Sequence, residues 1–123
     1  MSKKVVFRKT EIKTPPLSTS ARVEIGQLLR RLLNGELLAL PHSRPMPSIG
    51  AHVHELRVND QNQTWRLFYR VDADAIIVVE LFSKKTPETP LSTIRLCKKR
   101  LRDYDNEVKE QEHNDEHPQT KTS

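Results

Sequence analysis

The chain has 123 residues, 35% of them hydrophobic and 30% charged, which is too short for two ordinary domains and too apolar to stay unfolded throughout. Its single cysteine, Cys97, excludes an intramolecular disulfide and a cysteine-based zinc site and points to a reducing cytoplasm. Residues 1–13 lack the apolar run of a signal peptide, no stretch is long and apolar enough to span a bilayer, and no membrane partner is expected.

The formal net charge of +5 is unevenly spread. Residues 105–123 carry six acids against Lys109 and Lys121, a net −4, which leaves +9 on residues 1–104. The expected organisation is a basic domain over 1–104 and an acidic, disordered tail over 105–123, because apolar residues nearly vanish beyond Asp105. A basic body suits a polyanionic partner.

In chain order, residues 4–12 are rich in β-branched and aromatic residues and read as a first strand, closed by Thr14-Pro15-Pro16. Ser18, Thr19 and Ser20 offer N-cap oxygens. Ile25, Leu28, Leu29, Leu32 and Leu33 then recur at helical spacing until Asn34-Gly35, which predicts a helix over 20–34 with Arg22, Arg30 and Arg31 on its solvated face. Three prolines and a glycine make 41–50 a semi-rigid loop. Strands are expected at 52–58, 64–72 and 75–83, and their short connections imply antiparallel hairpins. In the middle strand Trp65, Leu67, Tyr69 and Val71 alternate with Arg66, Phe68 and Arg70, giving one apolar face and one cationic face. A second helix follows, with Thr89 as N-cap, Pro90 in the first position, and a stripe of Leu91, Ile94, Cys97, Leu101 and Tyr104.

Only three glycines occur, and no phosphate-cradling loop, nucleophile elbow or zinc-protease motif is present. His52 and His54 share a face if both lie in a strand, but no third ligand accompanies them, so no metal and no cofactor is expected. The remaining chemistry lies in cations on neighbouring strands: Arg57, Arg66, Arg70, Lys84 and Lys85. They are either separately solvated or gathered around an anion that guanidinium forks match.

Several segments together resemble the phage-related, HigB-like branch of the RelE/ParE toxin superfamily. They are Lys13-Thr-Pro-Pro, Gly26-Gln-Leu-Leu-Arg-Arg-Leu, Pro41-His-Ser-Arg-Pro-Met-Pro-Ser-Ile-Gly, His54-Glu-Leu-Arg, Trp65-Arg-Leu-Phe-Tyr-Arg, Phe82-Ser-Lys-Lys-Thr and Cys97-Lys-Lys-Arg-Leu, ending at Tyr104-Asp105. The resemblance covers about residues 12–105. It implies an α+β, RelE-like fold, a twisted antiparallel sheet with helices packed on one face. It also implies a type II toxin, neutralised by a cognate antitoxin with a helix-turn-helix domain, that cuts mRNA on the ribosome without metal. The alternatives are a ParE-like gyrase inhibitor and a catalytically inactive relative that binds RNA or antitoxin. Under the resemblance Arg66, Lys84 and Lys85 are catalytic, with Arg66 on the scissile phosphate, while Arg57, Arg70, Arg44 and Lys98 bind RNA. RelE has a lysine where Glu55 falls and a tyrosine where Leu91 falls, so His54 is assigned as the base in its place, being able to act near neutral pH. Tyr69 and Tyr104 read as core.

Overall fold

A computed structural model describes residues 3–12, 16–61, 63–84 and 88–116. In chain order its elements are β1 (Lys4–Phe7), α1 (Thr19–Leu33), β2 (Ser43–Pro45), β3 (Val53–Asp60), β4 (Gln63–Val71), β5 (Ala75–Lys84) and α2 (Leu91–Glu116). Helix α1 starts where the serine run predicts. The Ser18 hydroxyl accepts from the Ala21 amide at 3.1 Å, satisfying one orphan donor of the first turn. It stops at Asn34-Gly35, where Gly35 takes φ +89° and its amide donates to the Leu32 carbonyl at 3.0 Å.

The strands form one five-stranded sheet in the order β1-β5-β4-β3-β2. The pairs β3–β4 and β4–β5 are antiparallel, as the short connections imply, and so is β2–β3. Strand β1, however, runs parallel to β5, pairing Lys4 with Ala75 and Phe7 with Val78, so the sheet is mixed and not wholly antiparallel. The loop expected at 41–50 contains the three-residue strand β2. Pro45 is tolerated there because β2 lies at the sheet edge, where one row of donors has no ladder to complete.

The helices lie on opposite faces of the sheet, which corrects the expectation of both on one face. Ile25, Leu28, Leu29 and Leu32 of α1 pack with Leu56, Val58, Trp65, Leu67, Tyr69, Ile76 and Val78. Cys97 and Leu101 of α2 pack with Met46, Ile49, Val53, Phe68, Ala75, Ile77 and Val79 on the other side. The reason is in β5, whose run Ala75-Ile76-Ile77-Val78-Val79 is buried at every position, the pattern of a strand covered on both faces. Phe68 on β4 is likewise fully buried, so the face expected to be cationic is apolar at its centre.

Helix α2 departs from expectation at both ends. It begins at Leu91, with the Pro90 carbonyl accepting from Thr93 and Ile94, so Pro90 holds the capping position expected of Thr89. Leu91 is exposed, Ile94 is half-buried, and full burial begins at Cys97. At the far end the helix continues through Glu116 instead of yielding to the tail at Asp105. Asp105 itself accepts from Arg70 at 2.7 Å, Lys99 pairs with Asp103 at 2.8 Å, and Glu107 pairs with Arg8, which also lies over the Tyr104 ring. Residues 117–123 of the predicted tail lie outside the described residues. No described helix is long and apolar enough to cross a membrane.

Two consequences can be measured. Phe68→Ala opens a void between the sheet and α2 and should lower unfolding free energy in urea by about 3–5 kcal/mol. Asp60 at the end of β3 accepts from the Ser18 amide at 3.2 Å and the Trp65 indole at 2.9 Å, and these bonds, Ser18 foremost, hold its pKa below the usual 3.8. Its contribution is therefore complete above pH 3.8 and is lost as pH falls through the lower folded value. Asp60→Asn should remove that part of the acid dependence in a melting series between pH 7 and pH 2.

Candidate functional site: an arginine cluster around a buried carboxylate

Alternation along β3 sends Glu55 and Arg57 to the α2 face, and the register then builds a cluster from three strands. Arg57 pairs across β3–β4 with Arg66, and Glu55 pairs across β2–β3 with Arg44. Two arginines directly opposite would repel. Glu55 offsets this from beside them: its Oε1 accepts from Arg57 Nε at 2.6 Å and Arg44 Nε at 3.0 Å, and its Oε2 from Arg66 Nη1 at 3.3 Å. Three guanidinium groups thus surround one carboxylate, with two positive charges in excess.

The four residues form a gradient of exposure. Glu55 is 0% exposed and Arg66 4%, whereas Arg57 and Arg44 are 29% and 34% exposed. Burial lowers the Arg66 pKa from its usual value; Glu55 opposes that shift, and Arg57 and Arg44 add to it. Arg44 opens onto a cleft of about 560 Å³ that it shares with Met46, Ser48, Glu88, Thr89 and Ile94. The Thr89 hydroxyl is buried there and has no hydrogen-bond partner among the described residues.

The other expected site residues are distributed as follows. Lys84 closes β5 opposite Thr64, two positions beyond Phe82, the register partner of Arg66. Lys85 lies outside the described residues. His54 is not near the arginines: three positions before Arg57, it emerges on the α1 face, where its ring stacks on Tyr69 at 5.5 Å. Its Nδ1 lies 3.2 Å from the His52 carbonyl. His52 precedes β3 with φ +62°, so the shared face expected for the two histidines does not arise. Tyr69 is core, as expected. Its hydroxyl shares a 2.7 Å hydrogen bond with Ser43, and burial raises its pKa although Ser43 opposes the shift.

Arg70 and Lys98 belong to a different place. Arg70 is clamped by Asp72 at 2.8 Å and Asp105 at 2.7 Å, and the Asp105 bond foremost raises its pKa. It lines an open groove of about 600 Å³ with His52, Lys98, Arg102 and Lys109, at the opposite end of β4 from Arg66. Cys97 is buried on the sheet-facing side of α2, its thiol pushed up to about 12 by burial and then by Glu80, so it is a packing group and not a nucleophile.

Sequence reasoning found Arg44, Arg57 and Arg66 but missed Glu55, the group that gathers them. The signal was present: a glutamate two positions before an arginine in a strand shares its face.

The fold and the Glu-Leu-Arg strand can now be set beside known proteins. The family model described as "Phage derived protein Gp49-like (DUF891)" matches residues 6–102, from β1 into α2. The chain belongs to the Gp49-like family. This is a RelE-like, toxin-like family, which implies an antitoxin partner. No curated protein matches the sequence. The match contains Arg44, Glu55, Arg57 and Arg66 and ends before Asp105, so the whole arginine cluster lies within the Gp49-like region.

The geometry separates two arginines that look equivalent in sequence. Arg66→Ala removes a partner from a carboxylate that has no access to water and should lower unfolding free energy by about 3 kcal/mol. Arg57→Gln, at a partly exposed position that water can fill, should lower it by less than Arg66→Ala does. Urea titration of the two variants checks the order.

Proposed function

We propose that this Gp49-like protein is the toxin of a type II toxin–antitoxin pair and acts as a ribosome-dependent mRNA endonuclease, held in check by a cognate helix-turn-helix antitoxin. The observation that carries the reading is the convergence of Arg44, Arg57 and Arg66 on one spot of the sheet, with more positive charge than Glu55 neutralises. Cleavage by an RNA 2′-hydroxyl builds negative charge on a five-coordinate phosphorus, and preorganised guanidinium groups stabilise that charge. Arg57 and Arg44 are exposed enough to reach a phosphate, whereas Arg66, expected on the scissile phosphate, is buried and supports them from below. Lys84, two positions beyond the strand partner of Arg66, and Lys85, next to it in sequence, are the candidates for protonating the leaving 5′-oxygen or for further charge stabilisation. His54, stacked on Tyr69 across the sheet, has no part in this scheme. The net +9 of residues 1–104 suits an RNA-rich binding site.

Purified protein added to ribosomes programmed with a defined mRNA should cut it within the A-site codon, as read by primer extension, and should leave the same RNA intact without ribosomes. Arg57→Gln, which keeps the fold, should slow cleavage about a hundredfold. Intact mRNA together with inhibition of DNA gyrase in a supercoiling assay would overturn the nuclease reading in favour of the ParE-like one.

A further inference from the structure

We propose that Glu55 is a positioning residue of this site: its buried carboxylate holds the inner Nε–H groups of Arg44 and Arg57 and so aims their outer guanidinium edges at one RNA phosphate. The inference rests on the preceding reading for its ligand, and on four observations for its geometry.

Glu55 has no exposure to solvent, so it is not itself available to RNA. It touches all three arginines, and its two oxygens divide the work, Oε1 taking Arg44 and Arg57 while Oε2 takes Arg66. Arg44 and Arg57 both donate through Nε, the nitrogen nearest the chain. A guanidinium bound at Nε is fixed in plane and rotation, while its terminal nitrogens take no part in that bond. Finally, Glu55 sits opposite Arg44 and two places from Arg57, at positions set by backbone register on three strands, so the cluster is held by the sheet and not by a loop. A long flexible arginine samples many rotamers, and a carboxylate that has already ordered it keeps its outer edge where charge develops in the transition state, which affects cleavage more than binding.

A purely structural counter-ion would have different consequences. Glu55→Gln keeps the shape and one acceptor but removes the negative charge and loosens the bonds that fix the Arg44 and Arg57 guanidinium planes. Ribosome-dependent cleavage should fall about a hundredfold. Binding of a short single-stranded RNA, followed by fluorescence anisotropy, should be unchanged or tighter. The slope of log Kd against log salt should steepen by about 0.7, the share of one further phosphate contact. If binding and cleavage fall together with melting temperature while the salt slope stays at its original value, or if neither changes, Glu55 is not a positioning residue.

A measurement on the unaltered protein covers the case in which the variant fails to fold. In nitrogen-15 NMR spectra the Nε–H signals of Arg44 and Arg57 should exchange slowly with water and persist when the RNA oligonucleotide is added. Their loss on RNA binding would mean that the arginines leave Glu55 to reach the phosphate, which overturns the proposal. Neither the salt slope nor the NMR signals require turnover. Wild-type protein that binds RNA through this cluster yet never cleaves on ribosomes would therefore sink the endonuclease reading alone, and wild-type protein that binds no RNA would sink both.

Discussion

A carboxylate sealed from water is tolerated only when cations satisfy it, and in this protein that requirement organises the sheet face under the N-terminal end of α2. Glu55 cannot be reached by solvent, so Arg44, Arg57 and Arg66 must stay where the register of β2, β3 and β4 puts them. The dependence is mutual, because Arg57 and Arg66 face each other on adjacent strands and would push the ladder apart without an anion beside them. Stability and charge presentation are therefore one feature: the bonds that make the strand pairing acceptable also fix the direction of the Arg44 and Arg57 guanidinium groups.

The second constraint is that β5 is apolar on both faces. A strand with no polar side must be covered twice, and the chain does this with helices placed before and after the sheet-forming segment. Strand β1 completes the arrangement by shielding the outer edge of β5 in parallel, with α1 and three further strands between them in sequence. As a result the candidate site lies beside α2 on one face, whereas α1, Tyr69 and His54 occupy the other.

Much of this was legible from the amino acids. The spacing of Ile25, Leu28, Leu29 and Leu32 located α1 to within a residue or two, and the alternating segments located β3, β4 and β5. Local patterns failed where long-range pairing decides the outcome. Nothing in Ser43-Arg44-Pro45 marks a strand until β3 lies alongside it, and the direction of β1 depends on β5 some seventy residues later. The length of α2 was missed for a different reason. Beyond Asp105 it buries little and is carried by good helix formers such as Glu107, Lys109 and Glu110, which an apolar periodicity does not register. At the site, strict alternation alone separates His54 from Arg57 and joins Glu55 to it. The geometry of the cluster was thus available in the His54-Glu-Leu-Arg string, although the burial of its carboxylate was not.

The ion pairs along the distal half of α2 have a consequence for how the molecule comes apart. Arg70 with Asp105, and Arg8 with Glu107, tie this helical overhang to the sheet by charge, whereas Cys97 and Leu101 hold the proximal half by apolar contact. Electrolyte weakens the first kind of attachment and leaves the second largely untouched. Fraying therefore starts at the overhang and is arrested at Leu101, so Phe68 and Ile77 keep their cover in brine that has already released the outermost turns.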